Sequence, residues 1–165
     1  MLDAVFPVFA AHPVIGLLPE RRIRSLAAYK TTRPALEAAL GVALPATPKR
    51  IAHGGADILW NGPGQWLVLG ELELPASLAA ITEQTDGLCL FSVSGPNAMA
   101  VLKKILPIDI ARFAEDEVAI TLAAHIGVRV WCEGGGFILA CFRSLAEALH
   151  HALMQAAETS NTGRG

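Results

Sequence analysis

Charged residues are scarce in this sequence. They make up 17% of its 165 residues, whereas hydrophobic residues make up 53%, and an average soluble domain has about 25% charged residues. No apolar run reaches the roughly 18 residues that a membrane-spanning helix requires, so we expect no membrane segment. We expect instead that part of the surface is apolar and contacts a partner.

Cysteine is also scarce, and the basic residues are dispersed. Cys89, Cys132 and Cys141 show no Cys-X-X-Cys spacing, and an odd number of cysteines argues against a framework of disulfide bonds. The net charge is −2, and the dense basic run "ERRIR" (20–24) has no aromatic residue beside it, so nucleic-acid binding is not expected. The cysteine content is typical of a reducing compartment, and we expect a cytoplasmic protein.

The motifs of common catalytic and nucleotide-binding sites are missing from the sequence. It has no Gly-X-Ser-X-Gly elbow, no Walker A loop and no Gly-X-Gly-X-X-Gly fingerprint. The glycines of "EGGG" (133–136) lead into a predicted strand, which favours a hairpin turn over a phosphate site. No pattern of His and Asp residues connects to Ser92, Ser94 or Ser144 as it would in a Ser-His-Asp triad.

Asp109 is the most interesting carboxylate, because it follows a predicted helix and lies among Pro107, Ile108 and Ile110. Its side chain is either a general base or substrate-amine anchor, or a cap that accepts backbone N–H bonds at the next turn. Aspartate forms such caps readily, and for this reason we favour the cap.

Histidine and tryptophan give no stronger indication of a site. Glu147 and His151 are four residues apart on a predicted helix, but one such pair is common on helix surfaces, and the adjacent His150 points about 100° away. The tryptophans lie at strand ends beside turns, where aromatic residues usually belong to a core or an interface. They are Trp60, Trp66 and Trp131. We therefore predict no catalytic, cofactor-binding or metal-binding residue in this chain.

The pattern of apolar residues, prolines and glycines predicts an α+β fold. Predicted strands cover 22–28, 56–60, 65–70, 87–95, 118–131 and 136–142, and predicted helices cover 33–41, 75–84, 95–106 and 143–158. Residues 118–131 form one or two strands, with a break near 124–127, and the turn residues "NGPG" predict a hairpin between the strands at 56–60 and 65–70. The halves resemble each other, since "RPALEAAL" matches "GPNAMAVL" and "LWNGPGQWLVLG" matches "VWCEGGGFILAC". We therefore predict a duplicated strand–helix–hairpin–helix unit. The predicted domains are an apolar N-terminal arm (1–18), a single α+β domain with two similar halves (19–158) and a flexible tail (159–165).

Five motifs, in one order along residues 20–157, resemble those of a known family. They are "LEAALGVALP", "LWNGPGQWLVLG", "SGPNAMAVLKKILPIDI", "VAITLAA" with "RVW", and "FRSLAEALHHAL". In these segments the sequence is similar to the gamma subunit of heterotetrameric sarcosine oxidase. That subunit belongs to the folate-binding aminomethyltransferase superfamily, which includes the glycine cleavage T-protein. The resemblance implies a fold like the T-protein folate-binding domain, itself a duplicated α+β arrangement.

The resemblance also implies a function. In that family the gamma subunit carries no chemistry, because FAD, FMN, NAD and the substrate site are expected on the partner subunits alpha and beta, and zinc on delta. Tetrahydrofolate is likewise expected in the partner subunits. We therefore expect a non-catalytic assembly subunit of a cytoplasmic oxidoreductase complex that demethylates sarcosine, with tetrahydrofolate accepting the one-carbon unit. Two alternatives remain open: a free-standing folate-binding or one-carbon-transfer protein of the same fold, and an interaction domain with an unrelated partner.

The apolar composition adds an expectation about the isolated chain. Val5, Phe6, Val8 and Phe9 lie in the arm, which has no helix or strand pattern and cannot bury itself efficiently. We expect them, with neighbouring strand ends, to form an exposed apolar patch. The isolated chain is expected to self-associate through that patch.

Overall fold

The computed structural model of the chain describes residues 8–161, which form two compact units. The first unit comprises residues 20–85 and 116–118, and the second comprises residues 8–19, 86–115 and 119–161. Each unit contains a five-stranded sheet and its own hydrophobic core. The chain therefore has a mixed α and β architecture, as the sequence predicts.

Ten strands and three α-helices make up the regular structure of the described residues. The strands are β1 (Ile15–Leu17), β2 (Ile23–Ala28), β3 (Arg50–His53), β4 (Ala56–Gly62), β5 (Gln65–Leu69), β6 (Ala79–Glu83), β7 (Leu88–Val93), β8 (Val118–Ala123), β9 (Ile126–Glu133) and β10 (Gly136–Phe142). The helices are α1 (Arg33–Leu40), α2 (Ala98–Ile105) and α3 (Ala146–Asn161). Two short 3-10 turns, Ile110–Arg112 and Arg143–Leu145, precede β8 and α3.

In the first unit, the sheet has the antiparallel order β3-β4-β5-β2-β6. Helix α1 has Pro34 in its first turn and ends at Gly41, whose φ of 71° is a left-handed conformation that glycine adopts without steric cost. Leu36 and Leu40 are buried and belong to one core cluster with Trp66 of β5. The sequence predicts α1 and both of its ends correctly.

The hairpin predicted from "NGPG" joins β4 to β5. Trp60 pairs with Trp66 and Gly62 pairs with Gln65, so the turn consists of the two residues 63 and 64. The register shifts between Trp60 and Gly62, and such a bulge bends the strand and increases its twist. The hairpin thus brings two tryptophans opposite each other on adjacent strands.

In the second unit, the sheet has the order β1-β7-β10-β9-β8, which makes β8 an edge strand. Helices α2 and α3 contact each other, and their buried side chains share one core cluster with side chains of the strands. The turn between β8 and β9 consists of Ala124 and His125, with φ values of 46° and 70°. Two consecutive positive φ values are typical of a tight hairpin turn, so the predicted break near residues 124–127 is confirmed.

The two sheets share an order of elements. In the first unit β2 and α1 are followed by three strands in the sheet order β3-β4-β5-β2, and in the second unit β7 and α2 are followed by three strands in the order β8-β9-β10-β7. The fifth strand lies next to β2 as β6 and next to β7 as β1. The units differ after the third of these strands, where the chain continues into β6 in one and into α3 in the other.

The helix predicted at 75–84 is wrong. Residues 79–83 form β6, which pairs with β2 from Ala28 to Arg24. Only Ala79 of its five residues is buried, so the segment lacks the apolar stripe that holds a surface helix to a core. Pairing satisfies backbone groups along the edge of β2, which outweighs the helix propensity of the alanines. The predicted strand–helix–hairpin–helix order therefore describes only the second half of the chain.

The predicted domain boundaries also differ from the structure. Val14 and Ile15 are buried in the second core, so part of the predicted arm forms β1 and pairs with β7. Residues 159–161 of the predicted tail belong to α3. Residues 1–7 and 162–165 lie outside the described residues.

Candidate functional site

Asp109 lies at the surface of the second unit, just before the 3-10 turn Ile110–Arg112. Its Oδ2 atom is 3.5 Å from Arg112 Nε, and the two side chains are 63% and 90% exposed, respectively. The Asp109 side chain forms no capping hydrogen bond, whereas its backbone carbonyl accepts the Arg112 N–H at 3.0 Å. The predicted side-chain cap is therefore wrong, and the carboxylate lies exposed at the surface.

His150 packs beside the N-terminal segment. Its imidazole ring stacks on Phe9, with 4.1 Å between ring centroids and 19° between ring planes, and the Phe91 ring lies 6.1 Å away. Burial lowers the pKa of His150, and the nearby His12 and His151 lower it further. In the part of the chain that the structure describes, no three His, Cys, Asp or Glu side chains are placed to hold a metal ion.

We expect His150 to make stability depend on pH. Because the pKa of His150 is lower in the folded protein than its ordinary value of about 6.5, the unfolded chain binds more protons between those two values. The contribution of neutral His150 to stability is therefore fully present above about pH 6.5 and is lost as the pH falls through the folded pKa.

Urea unfolding of the wild-type protein and of His150→Gln, from about pH 8 to about pH 5, measures this dependence. The His150→Gln variant should lose part of the fall in unfolding free energy at low pH. The variant His151→Gln, at an exposed position, should retain most of it. The same pH dependence in His150→Gln as in the wild type would contradict the role assigned to His150.

The tryptophans are structural. Trp66 and Trp131 are fully buried, as predicted, and Trp60 is half-buried against the first core. The Trp66 Nε1–H donates to Pro45 O at 2.9 Å, and the Trp131 Nε1–H donates to Glu133 Oε2 at 3.0 Å. Because the rings of Trp66 and Trp131 are enclosed and their N–H groups are satisfied, neither offers an open face on which a ligand could stack.

The cysteine thiols of β7 and β10 are packing groups. Cys89 and Cys141 are buried, are free and lie opposite each other in the strand register. Burial raises the pKa of the Cys89 thiol, and burial together with the neighbouring Cys89 raises the pKa of the Cys141 thiol to about 12. The thiolate is the nucleophilic form of cysteine, so these thiols are unreactive near neutral pH.

The glycines of "EGGG" form a hairpin turn, as predicted. Gly134 and Gly135 have φ values of 61° and 77°, and Gly136 pairs with Glu133 across the turn. Both positive φ values favour glycine. The turn connects β9 to β10, so these glycines do not open a helix whose N-terminus would hold a phosphate.

Two neighbouring apolar side chains of β8 are exposed. Ile120 is 49% exposed and Leu122 is 51% exposed, and because they are two residues apart on a strand they point to the same face. Both lie on the strand at the end of its sheet. We call Ile120, Leu122 and the outer edge of the strand beside them the edge patch.

A surface depression of about 410 Å³ adjoins the edge patch at Leu122. It is formed by the end of α2, the residues that follow it and the β8–β9 turn. Its lining residues are Lys104, Ile105, Leu106, Pro107, Leu122, Ala124 and His125. The lining is apolar apart from Lys104 and His125, which are both basic, so the depression has no carboxylate of its own.

The apolar patch predicted at the N-terminal arm is described only in part. Val8 is 93% exposed, whereas Phe9 packs against the second core and stacks on His150. Val5 and Phe6 lie outside the described residues. Self-association of the isolated chain through this arm stays a prediction.

The sequence does not reveal the edge patch. It predicts strand structure over 118–131 but not the exposure of Ile120 and Leu122. A strand with one open face usually alternates apolar and polar residues, whereas "VAITLA" is apolar at every position except Thr121. Such a run is typical of a strand that is covered on both faces. This excess of apolar residues is the feature of the sequence that could have indicated the edge patch.

No helix among the described residues is both long and apolar enough to cross a membrane. No protein-family model and no curated protein sequence matches the chain. Among solved structures, the chain is similar to a chain of heterotetrameric sarcosine oxidase from Corynebacterium sp. U-96 in complex with pyrrole 2-carboxylate, with a TM-score of 0.75 and 26% identity. The match covers 88% of this chain and 84% of that chain. The resemblance to a subunit of heterotetrameric sarcosine oxidase is therefore confirmed.

Proposed function

We propose that the chain is the gamma-type, non-catalytic assembly subunit of a heterotetrameric sarcosine oxidase. The observation that carries the proposal is the structural likeness over 88% of this chain and 84% of a chain of that enzyme. A match over most of both chains favours an equivalent whole subunit over a shared domain. The five motifs in order along residues 20–157 favour the gamma subunit in particular.

The environments of the potentially reactive side chains support an assembly role. Asp109 forms an exposed ion pair with Arg112, His150 stacks on Phe9, and the Cys141 thiol has a pKa of about 12. These groups lie apart in the sequence, and each has a packing or surface role of its own. An apolar surface such as the edge patch is what a subunit interface requires.

In this proposal the chemistry belongs to the partner subunits. FAD, FMN and NAD are assigned to the alpha and beta flavoprotein subunits, zinc to the small delta subunit and tetrahydrofolate to the partner subunits. The complex oxidatively demethylates sarcosine in the cytoplasm. The free cysteines of this chain fit a reducing compartment. The chain contributes a folded surface to the complex.

We also propose that the two units derive from one duplicated α+β unit like that of the T-protein folate-binding domain. The support is the common sheet order, β3-β4-β5-β2 in one unit and β8-β9-β10-β7 in the other, with one helix after the first strand of each. In this view β6 and α3 are the elements in which the two copies diverged.

The isolated chain is expected to be colourless and inactive toward sarcosine, and to form a stoichiometric complex when co-expressed with the flavoprotein subunits of its own organism. The physical reason is that its folded residues supply surface and no fingerprint for a dinucleotide. Absorbance spectra, sarcosine-dependent oxygen consumption and size-exclusion chromatography with light scattering measure these properties. Bound flavin or turnover in the isolated chain, or a complex that assembles and works equally well without the chain, would contradict the proposal.

A free-standing folate-binding or one-carbon-transfer protein is the alternative, because the superfamily that the sequence resembles includes such proteins. Titration calorimetry of the isolated chain with tetrahydrofolate separates the two. The subunit proposal expects no saturable heat. Saturable binding by the isolated chain, without association with flavoprotein subunits, would favour the alternative.

A further inference from the structure

We propose that the edge patch and the depression beside it bind an extended segment of another subunit by strand addition. The segment has apolar side chains at alternate positions and a carboxylate that meets Lys104. The proposal rests on the subunit function above, and it names the surface through which the chain enters the complex and the chemistry of the segment bound there.

The backbone of β8 supplies the template for an added strand. The N–H of Val118 donates to Pro48 O, and the N–H of Ala124 donates to Ile105 O, both at 3.0 Å and both to acceptors outside the sheet partner β9. Alternate residues of a strand direct their backbone groups to the same edge. Ile120 and Leu122 lie two and four residues after Val118, so their N–H and C=O groups point to the same outer edge. A further strand could pair with these groups.

The side chains of β8 suit a surface that is covered in the assembled protein. Ile120 and Leu122 belong to residue types that are usually buried, yet about half of each side chain is exposed. Exposed edge strands are normally protected by lysine, proline or a bulge, and "VAITLA" contains no charged residue and no proline. An unprotected apolar edge is therefore best explained by a partner that covers it.

The charges around the depression define one feature of the bound segment. The exposed Lys104 Nζ donates to Thr159 Oγ1 at 2.8 Å and lies 3.4 Å from Ala156 O, and neither acceptor carries charge. His125 is the other polar residue of the lining, and it too is basic. A carboxylate on the incoming segment would neutralise Lys104, which places the acidic residue of the segment at the depression.

The available length of edge suits a short extended segment. From Val118 to Ala124 is six residue steps, or roughly 20 Å at about 3.3 Å per step. The hydrogen bond from the Ala124 N–H to Ile105 O closes the edge beside the β8–β9 turn. A second copy of this chain is the competing occupant, and the self-association of the variants distinguishes it from a segment of another subunit.

Binding of co-expressed flavoprotein subunits by wild-type and variant chains tests the proposal. Leu122→Lys should weaken the complex about thirtyfold or more, as expected for the loss of a central apolar contact, and Lys104→Glu should weaken it by repelling the carboxylate. Ile120→Pro removes an outward N–H and should weaken it as well, since an edge strand tolerates proline at such a position. The control Phe142→Lys changes another apolar side chain that is 54% exposed and should bind as the wild type does.

Amide hydrogen exchange on the wild-type complex gives a readout that does not depend on any variant folding. The amides of Ile120 and Leu122 should gain protection in the complex, whereas the amide of Thr121, which faces β9, should change little. Unchanged exchange at both positions, or variants that bind like the wild type, would overturn the assignment of this surface alone. A wild-type chain that binds no flavoprotein subunit would overturn the proposed function and this proposal with it. Variants that abolish only self-association of the isolated chain would assign the edge to a second copy and overturn the proposal.

Discussion

Replacing Trp66 with alanine is expected to lower the free energy of unfolding by about 3–5 kcal/mol. Trp66 is fully buried in the first unit, where it shares a core cluster with Leu36 and Ile58. Truncation removes the largest side chain of that cluster and leaves a cavity that the two rigid neighbours, a helix and a sheet, fill only in part. It also leaves Pro45 O without the indole N–H that donates to it at 2.9 Å, and an unsatisfied buried acceptor adds to the cost.

Urea denaturation, followed by circular dichroism, measures the loss. The matched control is Trp60→Ala, since Trp60 is the cross-strand partner of Trp66 in the same hairpin but is only half-buried. Its truncation removes less buried surface and should cost clearly less. Trp66→Phe should lie between the wild type and Trp66→Ala, because the ring volume is largely kept while the bond to Pro45 is lost. Equal losses for Trp60→Ala and Trp66→Ala would contradict the central position of Trp66 in the core.

The elements that the sequence predicts well are those with local signals at both ends. Helix α1 has Pro34 at its start and Gly41 at its end, and the β4–β5 hairpin is marked by Pro63 and Gly64 between two apolar runs. In each case the φ preference of one or two residues decides the local conformation, whatever surrounds it. The likeness to a sarcosine oxidase subunit could be recognised from the sequence for the same reason, because the motifs that resemble that subunit include these turns.

The elements that the sequence does not predict depend on contacts between distant residues. β6 forms because it pairs with the free edge of β2, about fifty residues earlier in the chain. The local sequence "AAITE" does not indicate this pairing partner. β1 likewise depends on β7. The edge patch exists because β8 is the outermost strand of its sheet. The order of strands in a sheet cannot be predicted from the local sequence of one strand.

The two ends of the sheet in the second unit differ in whether a further strand covers them. At one end β1 covers β7 and brings Val14 and Ile15 into the core. At the other end β8 has no such strand within the described residues, and Ile120 and Leu122 are half exposed. A segment supplied by another subunit would close the second end as β1 closes the first. The proposed assembly role and the apolar composition would then have one physical cause.

Gly136→Ala is expected to lower the free energy of unfolding by about 3 kcal/mol, near the upper end of the range for overpacking. A β-carbon at this position would lie 2.8 Å from Ser94 Cβ and 2.9 Å from Val93 O, both shorter than carbon atoms tolerate without movement. One of the two obstructing atoms is a backbone oxygen, so no rotamer change relieves it. Either the first residues of β10 or the end of β7 must shift, which loosens the pairing of Phe137 with Val93.

The control for this substitution is Gly127→Ala on β9, where an added β-carbon meets no atom within 4 Å. Neither Gly127 nor Gly136 has a positive φ, so the two substitutions differ in crowding and not in backbone strain. Gly127→Ala should change the unfolding free energy by less than about 0.5 kcal/mol or raise it slightly, because alanine loses less conformational entropy than glycine on folding. Thermal and urea unfolding of both variants measure the two free energies of unfolding. Equal values would show that there is room for a β-carbon between β10 and β7, and that the close approach of Gly136 to Val93 does not constrain the sheet.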